Sequence, residues 1–164
     1  MKKVFALVLV AVLALSAVAF ADEFVASVTT GPQIVESTTE VQLAESDVTK
    51  DLTDKIAAAE DINTVFATAG ADVTGYQLAE LLEIKLPAYE GEEPVTVTVK
   101  FDASFEGKDI IVMLGLIEEV DGVSQVSWQT VEAAVEGDAV KLTVTPEQAA
   151  AIKAGNAVLA VLCK

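Results

Sequence analysis

The chain has 164 residues, 26 of them acidic against ten basic, giving a formal net charge of −16 with no histidine and a single cysteine. That balance argues against nucleic acid, whose binding rests on neutralising phosphates with Lys and Arg, and disfavours anionic membrane surfaces. Without histidine there is no Ser-His or Cys-His nucleophile, a structural zinc site lacks ligands, and a lone Cys163 forms no internal disulfide.

Lys2 and Lys3 open the chain and an apolar run from Val4 to Ala19 follows, broken only by Ser16. Ala19-Phe20-Ala21 then supplies the small-x-small pattern that signal peptidases cut, ahead of Asp22-Glu23. Residues 1–21 therefore read as a bacterial-type secretory signal peptide cleaved after Ala21, and the protein is expected to be secreted or extracytoplasmic. The rival reading is an uncleaved anchor, because the run approaches the ~18 apolar residues of a membrane span. Position 22 is Asp, so there is no lipoprotein cysteine, and no sortase motif precedes the C-terminus. Cleavage would remove two of the ten lysines and no acid, taking the charge from −16 to −18. The rest is long enough for one domain with a sizeable core.

Phe24 to Thr30 alternates loosely and stops at Gly31-Pro32, and Ile34 to Ala44 follows; one or two short strands are expected here, with a flexible arm as the equal alternative. Asp51 to Asp61 reads as a helix, with Thr49 as N-cap, Asp51 and Asp54 in the first turn, and Leu52, Ile56 and Ala59 on one stripe. Tyr76 to Leu86 reads both ways. Its Leu, Ala and Glu content favours helix, whereas alternation sets Leu78, Leu82, Ile84 and Leu86 on one face with Glu80 as a misfit. Val95 to Phe101 alternates strictly, as a half-buried strand should. Ile110 to Ile117 is continuously apolar, which suits a central strand covered on both faces. Asp121-Gly122 is a strong hairpin signal, and Ser124 to Val135 is expected to pair back across it. Gly137-Asp138 makes the next turn before the strand Ala139 to Val144. Thr145-Pro146-Glu147-Gln148 carries a capping box with proline at the first helical position, so a short helix spans about 146–154 and closes at Gly155. Ala157 to Leu162 is the last strand. Strands separated by turns at such spacing point to an antiparallel sandwich.

This order resembles the small immunoglobulin-like β-sandwich modules of exported and surface proteins of anaerobic bacteria. The resemblance rests on Pro94 to Val99, on Gly107-Lys108-Asp109-Ile110-Ile111-Val112, on Trp128 with Val131, and on Gly137-Asp138-Ala139-Val140. It covers about residues 76–164 and departs at the helix 146–154. It implies a strand for Tyr76 to Leu86 and a mainly β Ig-like sandwich over 76–164; the 22–75 strand and helix segment, which the resemblance does not cover, is expected to pack on that sandwich. Such modules carry no catalytic residues, so the expectation is a non-catalytic surface, matrix or adhesion-type module contacting protein or glycan outside the cell.

Two other classes stay open. A secreted calcium- or ligand-binding protein would use Glu90, Glu92 and Glu93 in one acidic loop, or Glu118, Glu119 and Asp121 in another, since hard cations take carboxylate oxygens. Neither loop has the spacing of a dedicated calcium loop, and charged hairpin ends also discourage edge-to-edge pairing. An unfamiliar carboxylate hydrolase would use Glu92-Glu93 or Glu118-Glu119, but sequential residues of a strand point to opposite faces. Trp128 shares a strand face with Val126 and is expected in the core, leaving Tyr89 as the ring expected to be exposed. Cys163, between apolar neighbours, reads as a buried thiol, with an intermolecular disulfide as the alternative.

Overall fold

The computed structural model describes residues 16–17, 31–101, 104–121 and 123–164. The expected leader, apart from Ser16 and Ala17, and the expected strand at Phe24 to Thr30 lie outside the described residues. The chain is mainly antiparallel β. In order, the elements are β1 (Ser16–Ala17), β2 (Gln33–Ser37), β3 (Val41–Ala44), α1 (Asp47–Ala58), α2 (Ile62–Val65) and a 3₁₀ turn (Ala67–Ala69). There follow β4 (Gln77–Lys85), β5 (Val95–Lys100), β6 (Ile110–Val120), β7 (Val123–Glu136), β8 (Ala139–Val144), α3 (Pro146–Ala154) and β9 (Asn156–Cys163). No described helix is long and apolar enough to cross a membrane.

All strands join one sheet in the order β1-β3-β4-β9-β6-β7-β8-β5-β2. Strand spacing alone suggests two stacked sheets; the structure instead curls a single sheet nearly into a barrel. Two features cause this. β7 runs 14 residues; it pairs with β6 over Val123 to Val131 and with β8 over Glu132 to Glu136, so one strand carries the sheet around the bend. At the other side, β2 holds one edge of the sheet and β3 lies next to the other, beside the two-residue β1, yet β2 and β3 follow each other in the chain. The link from Ser37 to Val41 can span at most about 14 Å, so the two edges must lie close together.

Burial follows from the alternation of side chains along each strand. One set of faces lines the inside of the curl: Val97 and Val99 of β5, Val112 and Leu114 of β6, Leu142 of β8 and Leu159 of β9 are all at most 1 % exposed. The opposite faces of β6 and β9, through Met113, Val158, Ala160 and Leu162, form a second apolar cluster outside the curl. The helical segment covers it, contributing Ile56 of α1 with Phe66, Val73 and Tyr76. β6 and β9 are thus buried on both sides, which is why their sequences read as continuous apolar runs.

The two helices expected from sequence are present, with one shift. α3 has the capping box foreseen: the Gln148 amide donates to Thr145 Oγ1 at 3.3 Å, the Gln148 side chain accepts from the Thr145 amide at 3.1 Å, and Pro146 follows the cap. α1 starts four residues earlier than expected and ends at Ala58 rather than Asp61, so Asp47, not Asp51 or Asp54, lies in its first turn. Its cap is Ser46, not Thr49; Thr49 takes the third helical position and its hydroxyl accepts from the Ser46 amide at 2.8 Å. A Ser-x-x-Thr pair can form the reciprocal bonds of a capping box, and that pairing outcompeted the lone Thr signal.

Within Tyr76 to Leu86, Gln77–Lys85 is strand, and the Glu80 misfit has a structural cause. The pairing of β4 with β9 slips between Leu78 (opposite Leu162) and Glu80 (opposite Val161). This bulge reverses the parity, so Leu78 packs against the outer cluster while Leu82, Ile84 and Leu86 face the interior. Tyr89 corrects the expectation of an exposed ring: it is 7 % exposed, its hydroxyl donates to the Glu93 carbonyl at 2.9 Å, and the Lys153 ammonium donates to the Tyr89 backbone carbonyl. A loop that packs under α3 buries its aromatic residue, which local sequence does not reveal.

Lys85 lies 2.8 Å from Glu83 on β4, and this hydrogen-bonded contact holds the Glu83 carboxyl below its usual value of 4.5. A depressed carboxyl stabilises the fold fully above its unfolded pKa, and the gain is lost as pH falls through the lower folded value. Glu83→Gln is therefore expected to lower the melting temperature slightly at neutral pH, where the gain is fully present, to change little well below pH 4.5, where it is already lost, and so to flatten the acid side of a melting temperature against pH profile.

Candidate functional site

The acidic residues singled out from sequence are dispersed. Glu90, Glu92 and Glu93 are all exposed in the loop between β4 and β5. Glu118 and Glu119 are consecutive on β6 and point to opposite faces, with Asp121 beyond them in the turn at φ 54°. Among the described residues, no group of three or more Cys, Asp or Glu side chains could hold a metal ion. Cys163 is half-buried against the interior cluster. Trp128 is 2 % exposed, as expected of a core residue, but in the outer cluster; its ring centroid is 4.6 Å from that of Phe66.

The feature that stands out is the outer edge of β7. Its partner β8 joins only at Glu132. Over Val123 to Val131, β7 has β6 on one side and, among the described residues, no strand on the other. The turn fixes which backbone groups face that side. Val120 and Val123 flank the two-residue turn and pair with each other, so the even-numbered residues from 124 onward direct their amides and carbonyls away from β6.

Two of these positions are already occupied by side chains. The Trp128 amide donates to Thr68 Oγ1 at 2.7 Å, with Thr68 supplied by the 3₁₀ turn. The Thr130 carbonyl accepts from Gln148 Nε2 at 3.0 Å, with Gln148 supplied by α3. Ser124 and Val126 come before these two caps. Ser124, opposite Glu119, lies where the β6–β7 hairpin outruns β9, and Val126 is level with the last β6–β9 rung, Ile117 opposite Asn156. The hairpin tip carries two exposed apolar side chains, Val120 at 42 % and Val123 at 60 %.

A cleft of about 200 Å³ adjoins this edge. Val48 and Leu52 of α1 face Ile117 and Val126 across it, and Asp51, Lys55, Ser124 and Asn156 also line it. A second, more polar depression of about 320 Å³ lies on the other flank of α1 against β4, lined among others by Thr53, Asp54 and Leu78.

The other sheet edges are blunted. β2 carries an irregularity between Ile34 and Glu36, β3 has only four residues, and Ser16–Ala17 pair with it. Natural edge strands avoid recruiting other chains by such shortness, bulges and charge. β7 has none of these devices over Val123 to Val131, nine consecutive residues without charge or proline. That run was readable in the sequence of a strongly acidic chain. Its exposure was not, because it depends on where β8 ends. Comparisons with protein-family models, with curated proteins and with solved structures return no match for this chain.

Proposed function

We propose that this chain is an exported, non-catalytic β module that acts by protein contact outside the cell, taking an extended segment of its partner at the free edge of β7. The observation that carries this reading is the stretch at Ser124 and Val126, uncapped among the described residues and flanked by exposed valines and an apolar cleft. Strand addition uses main-chain hydrogen bonds for affinity and neighbouring pockets for specificity. On this reading the kinship with immunoglobulin-like modules is one of role and strand pattern, with the sheet curled on itself.

A photo-crosslinking residue placed at Gln125 in the producing cell tests the proposal. A discrete adduct is expected in the extracytoplasmic fraction from Gln125 and not from exposed Lys141 on β8. Ser124→Pro removes one outward amide at a position where an edge strand tolerates proline, and is expected to abolish that adduct while the protein still folds. Equal adducts from both positions, an adduct that survives Ser124→Pro, or retention in the cytoplasm would sink the reading.

A further inference from the structure

The chemistry around the β7 edge defines what the recruited segment should be. We infer that it is an extended, cationic segment with alternating aliphatic and Lys or Arg side chains, seated antiparallel or parallel on Ser124 and Val126; this rests on the strand-addition reading above. Any residue placed opposite Val126 points to the same sheet face as Val126 and Ile117. There Val48 and Leu52 of α1 complete an apolar cleft, so an aliphatic side chain fits. Its chain neighbour, opposite Gln125, points to the other face.

On that other face the surroundings are acidic. Gln125 pairs directly with Glu118, and Val123 pairs with Val120 beside Asp121. An added strand lies about two strand spacings, ~10 Å, from β6. A lysine or arginine stem laid across exposed Val123 closes most of that distance and brings its charge to Glu118 and Asp121. A net charge of −16 adds a long-range field of the same sign. That field opposes a second copy of this chain as the occupant and favours a cationic one.

Two synthetic peptides distinguish the possibilities: acetyl-Val-Lys-Val-Lys-Val-amide and its Glu counterpart, titrated into the protein and followed by the amide resonances of Ser124 and Val126. The lysine peptide is expected to shift those resonances and bind at least tenfold more tightly than the glutamate peptide. Glu118→Gln with Asp121→Asn is expected to weaken the lysine peptide about fivefold, in line with exposed charge pairs. Raising salt to ~1 M, where screening acts within about 3 Å, is expected to erase the difference between the peptides. Equal binding of both peptides would overturn the cationic inference and leave the edge reading standing. Undiminished binding of the lysine peptide to Ser124→Pro, or no shift at Ser124 and Val126 with either peptide, would overturn both. Concentration-dependent dimerisation of the protein through this edge would replace the cationic segment with a second copy.

Discussion

Trp128→Ala is expected to destabilise the protein by about 3–5 kcal/mol, the range for deleting a buried aromatic side chain. Trp128 is 2 % exposed, and three elements meet on it. Phe66 packs against its ring at 4.6 Å between centroids. Thr68 of the 3₁₀ turn holds its amide at 2.7 Å, and Met113 lies in the same cluster. Removing the indole leaves Phe66 facing a void and loosens the contact by which the helical segment covers the outer face of β6 and β9. Against a total stability of about 5–15 kcal/mol for such a domain, the loss is a large fraction. Urea unfolding followed by circular dichroism measures it: the midpoint should fall with the slope unchanged. A loss below about 1 kcal/mol would mean that the outer cluster contributes little to holding the helical segment on the sheet.

The position of this cluster shows how much of the fold the sequence carries. Alternation at Val95 to Phe101 and continuous apolarity at Ile110 to Ile117 identify β5 and β6, because side-chain direction along a strand is a local property. The Thr145 to Gln148 cap likewise marks α3 to within a residue. What escapes is pairing. Nothing local says that β7 passes from β6 to β8 at Glu132, yet that handover makes one curled sheet rather than two stacked ones. The bulge near Ala79 and the burial of Tyr89 depend in the same way on partners distant in the chain.

The candidate site divides similarly. The Asp121-Gly122 turn and the charge-free run after it are plain in the sequence. So are the acidic residues Glu118, Glu119 and Asp121. Their grouping suggests a cation, but the pleat sends Glu118 and Glu119 to opposite faces. The edge between Val123 and Ser127 becomes visible only when β8 stops short, and its cleft only when α1 lies over Ile117 and Val126. A free edge is defined by a neighbour's end, which the edge's own residues do not encode.

Gly115 sits directly opposite Trp128 in the β6–β7 pair, and the indole occupies the space a side chain there would fill. A Cβ at position 115 would lie 2.7 Å from Trp128 Cζ3 and 2.8 Å from Val126 Cγ1, closer than such atoms approach. The ring cannot retreat, since Phe66 backs it and Thr68 fixes the backbone beneath it. Gly115→Ala is therefore expected to cost about 1–3 kcal/mol by overpacking, although glycine is intrinsically the poorer strand residue. With Trp128→Ala already in place the obstruction is gone, and Val126 can turn its methyl into the vacated space. In that background the same Gly115→Ala change should stabilise the protein by about 0.5–1 kcal/mol, the intrinsic preference for alanine over glycine inside a regular element. The sign of one substitution thus depends on the residue across the ladder, and a double-mutant cycle in urea should return a coupling of about 2 kcal/mol or more. Additive effects would show that the indole does not rest on Gly115 in solution. In that case the close approach of β6 and β7 beneath the 3₁₀ turn, on which the capping of Trp128 by Thr68 depends, would need a different explanation.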